Sequence, residues 1–346
     1  MENSALKQLL ADSGIEGDFS CSPLNAEASA RSYCRVHIHD PGSVLETVIL
    51  CEGLPKPYSE NDDFLVIQRF LSNRGIPVPE IQYVDYERGA LLLSDAGNVD
   101  LCQLINETYR NNDIKRQQLL FQAIDIMLAM HRLDPPEVVA HRAFDSTKLR
   151  QEMDFLLENL EAVCSHYKIQ NPISYEADVF LSELCDKLGM SEPKVFTHRD
   201  FHGRNIMVVP RQERAHMIFL DFQDARMGLP WYDLASLLYD PYSSINLKDR
   251  TIALEYFLKA RPDLRNQRGL FYAQALQRVL KALGTYLHQS HVKQNPRYLE
   301  SIGPALIRAE EVIQLGRFPD SIYLAVAEMR RRLVPIFESR LPENAH

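Results

Sequence analysis

Three side chains suited to phosphoryl transfer follow one another in a short part of this sequence. Asp200 and Asn205 lie in the segment His-Arg-Asp-Phe-His-Gly-Arg-Asn at positions 198–205, and Asp221 follows a short apolar run. Transfer of a phosphoryl group from ATP needs a carboxylate that accepts the proton of the acceptor hydroxyl, and oxygen ligands that bind Mg²⁺ against the phosphates. The order and spacing therefore predict Asp200 as the general base, with Asn205 and Asp221 as metal ligands.

Short apolar segments around these residues predict the strands that would position them. Residues 195–197 and 206–209 are typical of strands on either side of the motif, and residues 217–220 lead directly into Asp221. One alternative is a polar loop between core strands whose carboxylates only cap turns. The succession of strand, loop, hairpin and acidic residue favours a catalytic loop over that alternative.

A zinc site is the second alternative, because His198, Asp200 and His202 are residue types that bind Zn²⁺. The zinc-peptidase pattern places two histidines on one helical face, with Glu directly after the first. Here Arg199 occupies the Glu position, and Gly203 argues against a continuing helix. The sequence therefore favours a phosphoryl-transfer loop.

Length and composition are typical of a two-lobed globular protein. With 346 residues the chain is too long for one typical core, and its net charge of −9 disfavours nucleic acid as the main ligand. The six cysteines are scattered without a Cys-x-x-Cys pair, and the first residues lack the features of a signal peptide. No run of eighteen apolar residues occurs, so we expect no segment that spans a membrane. Taken with the net charge and the scattered cysteines, this predicts a cytoplasmic protein with neither nucleic acid nor membrane as a partner.

The order of the predicted elements is typical of a kinase. Residues 1–95 contain two strands, a helix over about 62–74 and two further strands, whereas most predicted elements of residues 96–346 are helical. We therefore predict an α+β, two-lobed, protein-kinase-like fold. The β-rich N-lobe would span residues 1–95, and the helical C-lobe at 96–346 would carry the catalytic loop and the substrate pocket.

The N-lobe is expected to bind the nucleotide, although it lacks two features of protein kinases. The loop at residues 26–33 has no glycine, and the following strand has no lysine. Ser29 and Ser32 can donate hydroxyl hydrogen bonds to phosphate oxygens, although an ordinary hairpin loop is an alternative. Arg31 or Arg35 is expected to replace the missing lysine, because a guanidinium can contact two phosphate oxygens. A plain surface position is the alternative for Arg35.

A predicted hinge between the lobes follows the last N-lobe strand. Adenine is expected to pair with backbone groups there, at Leu93, Ser94 and Asp95. A buried strand with an exit turn is compatible with the same role.

The short distance between Asp221 and the next helix predicts a small acceptor. Asp233 follows Asp221 by 12 positions, and the sequence around it is already helical. That length leaves no room for the long activation segment on which protein kinases bind a peptide. We therefore expect a small-molecule acceptor, and we expect Asp233 to cap its helix and to brace the catalytic loop.

These segments resemble the aminoglycoside phosphotransferase and choline kinase-like superfamily. The resemblance covers about residues 20–245 and rests on the motifs at residues 198–205, 220–225 and 232–238. The glycine-poor segment at residues 28–35 is most similar to bacterial kinases of cell-wall recycling that phosphorylate N-acetylmuramate and N-acetylglucosamine at the anomeric hydroxyl. The resemblance implies ATP and Mg²⁺ as cofactors. The other polar motif residues are expected to support the loop or the substrate: His198, Arg204, Asp224 and Asp233.

Other functions stay open at the level of sequence. Kinases of aminoglycosides, amino alcohols or homoserine-type acceptors share the superfamily motifs. The missing lysine and glycines are also compatible with a non-catalytic, nucleotide-binding pseudokinase, although Asp200, Asn205 and Asp221 are all retained. The sequence carries no signal for the oligomeric state.

Overall fold

A computed structural model gives the fold of this chain. It describes residues 3–24, 31–39, 46–209 and 215–341. Strands are concentrated in the first hundred residues and helices in the remainder, which confirms the predicted α+β class. None of the helices in these ranges is both long enough and apolar enough to cross a membrane.

The described residues form two compact units. The first comprises residues up to Val99 together with Met207–Gln223. The second comprises Asp100–Ile206 together with the residues from Asp224 onward. The segment that directly follows the catalytic loop therefore belongs to the first unit.

The first unit is built on an antiparallel sheet. Its five described strands are β1 (Phe19–Leu24), β2 (Ser32–Ile38), β3 (Thr47–Glu52), β4 (Ile81–Asp85) and β5 (Ala90–Ser94), in the spatial order β1-β2-β3-β5-β4. Helix α1 (Asn3–Asp12) precedes the sheet, and α2 (Asp63–Ser72) connects β3 to β4. The four strands and the helix predicted for this part are confirmed, whereas α1 and β1 were not predicted.

One face of the sheet is covered by α1. The shared core consists of Leu6, Leu9, Leu10, Val36, Val48, Leu50, Ala90 and Leu92. Because successive side chains of a strand point to opposite faces, Arg35 of β2 lies on the other face. The strand register places Ile49 and Leu93 beside it. Two residues predicted to bind the nucleotide, Arg35 and Leu93, therefore share the face that α1 leaves open.

A hairpin after the catalytic loop carries Asp221. Strand β7 (Ile206–Val209) pairs with β8 (His216–Phe219), which confirms the predicted strands. The backbone N–H of Val208 donates to the carbonyl of Val99 at 2.8 Å. The N–H of Phe219 donates to the carbonyl of Pro77 at the same distance of 2.8 Å. These bonds tie the strand that leads into Asp221 to the rest of the first unit.

The second unit is mainly helical. Its helices are α3 (Leu101–Gln103), α4 (Asp113–His131), α5 (Glu137–Ala140), α6 (Ser146–Tyr167), α7 (Tyr175–Met190), α8 (Trp231–Leu238), α9 (Leu247–Ala260), α10 (Arg268–Leu287), α11 (Leu299–Gly316) and α12 (Asp320–Glu338). Strand β6 (Val195–Thr197) pairs with β9 (Arg226–Gly228). Single 3₁₀ or π turns lie at Leu104–Thr108, Gly203–Asn205, Pro262–Gln267, His288–Val292 and Pro296–Tyr298. The long helices predicted from the sequence are confirmed.

Side-chain caps define where several of these helices begin. Asn112, Asp145, Ser174 and Asn246 each accept a backbone N–H from the first turn of α4, α6, α7 and α9, respectively. The first N–H groups of a helix lack partners within the helix. Each such cap contributes about 1 kcal/mol, so these polar residues fix the helix starts.

Helix α10 lies at the centre of the second unit. It packs against α6, α8 and α11, and most of its length is buried. A helix surrounded in this way is ordinarily apolar on all sides. In α10, several long polar side chains occupy buried positions instead. Two polar side chains of this helix, Arg278 and Lys281, lie next to Asp200 in the catalytic loop.

Candidate active site

A buried carboxylate holds the start of the catalytic loop. Asp233 Oδ2 accepts the N–H of His198 at 2.8 Å, and Oδ1 accepts the N–H of Arg199 at 3.0 Å. His131 Nε2 lies 3.3 Å from Oδ2. Helix α8 begins at Trp231, so the prediction that Asp233 caps this helix is wrong. Its carboxylate binds the first two residues of the loop.

A predicted metal ligand, Asp221, and the neighbour of the predicted base, Arg199, have a left-handed backbone conformation. Arg199 has a φ of 80° and Asp221 a φ of 62°. Such a conformation costs about 1–3 kcal/mol in residues with a side chain, and it concentrates at functional sites. Beside Arg199, the buried ring of His198 packs edge-on against Phe201, with 5.7 Å between the ring centroids. Together these features fix the backbone on both sides of Asp200.

Three cationic side chains surround the carboxylate of Asp200. Lys281 Nζ donates to Oδ1 at 3.3 Å, and Arg278 Nη2 lies 3.7 Å from the same oxygen. Arg199 Nε lies 3.9 Å from Oδ2, and its Nη1 pairs with Asp224 at 2.8 Å. Only 18% of the Asp200 side chain is exposed, so solvent screens these charges weakly.

The cations decide the protonation state of Asp200. Burial by itself raises the pKa of a carboxyl group. Lys281, Arg199 and Arg278 outweigh burial and hold the pKa of Asp200 well below its ordinary value. Asp200 is therefore ionised at physiological pH, which a group that accepts a proton must be.

Asn205 closes the catalytic loop. Its Nδ2 donates to the backbone carbonyl of Asp200 at 2.9 Å and lies 3.3 Å from His202 Nε2. The amide nitrogen is thus used within the loop, which leaves Oδ1 for a cation such as Mg²⁺ that prefers oxygen ligands. Burial lowers the pKa of His202 to about 3, so its ring is neutral at physiological pH.

The other loop residues pack against the helical unit. The guanidinium of Arg204 lies over the ring of Tyr242, with Cζ 3.5 Å from the centroid. Gly203 passes so close to α3 that a Cβ there would lie 2.9 Å from the backbone nitrogen of Cys102. A glycine is needed at position 203 because no other residue fits this approach.

Asp221 lies in the first unit, two residues after β8. Its side chain is exposed, and Oδ1 accepts a hydrogen bond from Gln223 Nε2 at 2.6 Å. The neighbouring Phe222 is buried and stacks on Phe64 of α2, with 5.1 Å between centroids. This packing fixes the backbone beside Asp221, and the exposed carboxylate is a suitable ligand for Mg²⁺.

The two arginines predicted to contact phosphate have different surroundings. Arg35 forms a bidentate ion pair with Asp95, from Nε to Oδ2 at 2.5 Å and from Nη2 to Oδ1 at 2.9 Å. It also donates to the carbonyl of Gly97 at 2.9 Å. Arg31 Cζ lies 5.8 Å from the centroid of Phe64. Arg35 thus ties β2 to the predicted hinge. Arg31, which interacts with Tyr33, stays a predicted phosphate contact.

The predicted phosphate loop falls between the first two strands of the sheet. Strand β1 ends at Leu24 and β2 begins at Ser32, which is exposed. Ser29 lies outside the described residues.

The predicted hinge residues lie at the end of β5. Leu93 is buried in the sheet. The N–H of Ser94 donates to the carbonyl of Glu80 at 2.8 Å, and its Oγ accepts the N–H of Glu80 at 2.8 Å. Because these groups of Ser94 are used inside the sheet, we expect contacts with adenine from Asp95 onward.

The sequence analysis missed the polar side chains of α10. Lys281 and Arg278, which contact Asp200, lie four positions after Gln277 and Gln274, respectively. Such spacing places side chains on one face of a helix. The only sequence signal was this run of polar residues within an otherwise apolar helix. We refer to Gln274, Gln277, Arg278 and Lys281 as the α10 stripe.

Known proteins resemble this chain in sequence. The sequence model of the phosphotransferase enzyme family matches residues 20–265. An N-acetylmuramate/N-acetylglucosamine kinase of Pseudomonas aeruginosa is 27% identical over 318 residues, covering 87% of this chain and 88% of that protein. A kinase of the same name from Caulobacter vibrioides is 24% identical over 332 residues, covering 87% of this chain and 90% of that protein.

Solved structures show the same fold. The choline kinase of Cryptosporidium parvum superposes with a TM-score of 0.59 at 13% identity, covering 96% of this chain and 99% of that chain. The kinase-like fold predicted from the sequence is therefore confirmed. The family match extends over most of the chain and includes the braced loop with its ionised Asp200. This chain belongs to the phosphotransferase enzyme family and is an ATP-dependent kinase.

Proposed function

We propose that this kinase transfers the γ-phosphoryl group of ATP, with Mg²⁺, to the anomeric hydroxyl of an N-acetylated amino sugar. The observation that carries the proposal is the position of an ionised Asp200 on a braced loop between Lys281 and Arg199. The names of the Pseudomonas and Caulobacter relatives support the acceptor class, N-acetylmuramate or N-acetylglucosamine.

Asp200 orients the acceptor hydroxyl and accepts its proton. A carboxylate whose pKa lies well below its ordinary value is a weak base. An anomeric hydroxyl is more acidic than an ordinary alcohol, so a weak base is sufficient for it. A carboxylate base is therefore chemically adequate for an anomeric hydroxyl.

The remaining predicted residues bind the nucleotide and the metal. Asn205 and Asp221 would hold Mg²⁺, which would supply positive charge to the phosphates of ATP. Arg31 supplies a further positive charge to the phosphates in place of the missing lysine. Backbone groups from Asp95 onward pair with adenine.

Aminoglycosides and amino alcohols are less suitable acceptors. They carry ammonium groups, which the cations around Asp200 repel. Lys281 and Arg278 lie within 4 Å of the carboxylate that must approach the acceptor hydroxyl. A neutral or anionic acceptor avoids this repulsion.

An acceptor screen tests the proposal. The protein is incubated with Mg-ATP and N-acetylmuramate, N-acetylglucosamine, kanamycin, choline or homoserine, and the product is identified by phosphorus NMR. We expect a sugar 1-phosphate, which is acid-labile, whereas a 6-phosphate survives mild acid. Preference for an amine acceptor or a 6-phosphate product would reject this acceptor class. Binding of ATP without transfer to any acceptor would favour a pseudokinase.

A further inference from the structure

The α10 stripe is a row of polar side chains in the interior of the second unit. Gln274 and Gln277 are 1% and 0% exposed, and Arg278 is 7% exposed. Burial of amide and guanidinium groups costs free energy unless they are hydrogen-bonded. Apolar side chains would fill these positions on a purely structural helix. The stripe therefore calls for an explanation beyond packing.

A hydrogen-bonded chain connects the stripe to α6 and α8. Gln274 Nε2 donates to Gln277 Oε1 at 3.0 Å, and Gln277 Nε2 donates to Glu152 Oε2 at 2.8 Å. Arg278 Nε donates to Ser236 Oγ at 2.7 Å. These bonds hold the long side chains in fixed positions, as a binding surface requires.

Some polar atoms of this buried cluster have no hydrogen-bond partner among the residues that the structure describes. They are Nη1 of Arg278, Oε1 of Glu152 and the hydroxyl of Tyr232. Tyr232 is fully buried, and its ring lies 5.2 Å from Cζ of Arg278. Unpaired buried donors and acceptors are rare in proteins, and a catalytic role of their neighbourhood is one physical reason for them.

The stripe ends at the reacting carboxylate. Lys281 Nζ and Arg278 Nη2 lie 3.3 and 3.7 Å from Asp200 Oδ1. Within the described ranges, the charged side chains that contact the carboxylate of Asp200 are Lys281, Arg199 and Arg278, and all three are cations. An acceptor whose hydroxyl reaches Asp200 therefore meets a net positive charge at this point.

We propose that Lys281 and Arg278, at the end of the α10 stripe, bind a carboxylate on the acceptor. This inference rests on the proposed function and makes it narrower, because the preferred acceptor becomes an acidic amino sugar. A guanidinium and an ammonium together suit a carboxylate, which accepts several charge-assisted hydrogen bonds.

A pair of acceptors isolates the carboxylate. N-acetylmuramate is N-acetylglucosamine with a lactyl ether that carries a carboxylate, so the sugars differ in that group alone. Loss of Lys281 also affects Asp200, but that effect is common to both sugars. The ratio of their kcat/KM values therefore reports the carboxylate contact with the shared effect removed.

The experiment measures this ratio in wild type, Lys281→Met and Lys281→Arg, with Lys259→Met as a control on the exposed side of α9. We expect wild type to prefer the acidic sugar, and we expect Lys281→Met to reduce the preference by about tenfold or more. Lys281→Arg keeps the charge and should retain most of the preference, and Lys259→Met should retain all of it. Lys281→Gln replaces the Met variant should that variant not fold.

Three outcomes separate the hypotheses. A loss of preference in Lys281→Met alone supports the inference. An equal loss of kcat/KM for both sugars, with the ratio unchanged, overturns it and leaves the proposed function intact, because Lys281 then acts through Asp200 only. Wild-type protein that phosphorylates neither sugar overturns the proposed function and this inference together.

Discussion

At the scale of single residues, Asp200 is the group whose charge we expect to affect catalysis most. Asp200→Asn keeps the size of the side chain and removes the proton acceptor. Loss of a general base typically lowers rates by ~10²–10⁴, so we expect kcat to fall on that scale with little change in KM for ATP. Steady-state kinetics test this against Asp186→Asn, a control on the exposed side of α7. Near-normal kcat in Asp200→Asn would contradict the assignment.

The same substitution has a pH-dependent effect on stability. Burial raises the pKa of Asp200, but Lys281, Arg199 and Arg278 together lower it by more than burial raises it. Ionised Asp200 therefore stabilises the folded state above about pH 4, and this stabilisation is lost as the pH falls below that value. We expect Asp200→Asn to melt below wild type at pH 7, with a smaller difference at pH 3. A difference that stays constant or widens in acid would show that these cations do not stabilise the charged form.

Arg31 and Arg35 should differ in their response to truncation. Arg35 is paired with Asp95, so Arg35→Met should lower the melting temperature. Arg31→Met should instead raise KM for ATP by about tenfold, because a charge-assisted contact with phosphate is lost. Kinetics and thermal melts of both variants test this. The reverse pattern would make Arg35 the phosphate ligand.

At the scale of elements, the catalytic loop depends on one close approach. Gly203→Ala would place a Cβ 2.9 Å from the backbone of α3, which cannot move as a flexible side chain can. We expect a loss of about 1–3 kcal/mol of stability and at least about tenfold of kcat, since a shift of the loop misplaces Asp200.

Gly269 provides the matched control for this prediction. A Cβ at Gly269, in the first turn of α10, meets nothing within 4 Å. Gly269→Ala should therefore leave activity unchanged and stability equal or slightly higher. Equal behaviour of the two alanine variants, in melts and in kcat, would mean that the loop tolerates displacement.

Sequence patterns predicted the helices and strands whose apolar residues recur at a clear spacing, and they missed elements in which that spacing is weak. The catalytic strands and the long helices were predicted because their apolar residues alternate or recur at helical spacing. Helix α1 has only three buried leucines in ten residues, and β1 contains Pro23, which weakens a strand pattern. Helix α10 was predicted as a helix, but its period does not reveal that Gln277 lies in the interior.

At the scale of the whole molecule, the missed parts of the site come from distant segments. The partner of Asp200 on α10, Lys281, is 81 residues away in sequence, and Arg35 and Asp95 are 60 residues apart. No local motif encodes such pairs. Asp200, Asn205 and Asp221 stay predictions from a local motif, which the sequence shows because only a loop and a hairpin separate them along the chain.

The core between α1 and the sheet should matter for the first unit. Leu9 is fully buried there, so Leu9→Ala should cost about 2–5 kcal/mol of unfolding free energy. Leu324→Ala is the control, because this leucine is 63% exposed on α12 and its truncation should cost less than about 0.5 kcal/mol. Denaturant melts and hydrogen exchange of the sheet measure both. Unchanged protection of β2 and β3 in Leu9→Ala would contradict this role of α1.

On the proposal above, the residues that choose the acceptor and the base that accepts its proton lie in separate stretches of the sequence. Arg278 and Lys281 lie on one helix, far in sequence from the loop that carries Asp200. Both also contact the base, so a substitution at either position would change acceptor choice and chemistry together. A new acceptor specificity would therefore have to evolve together with a compensating change around Asp200.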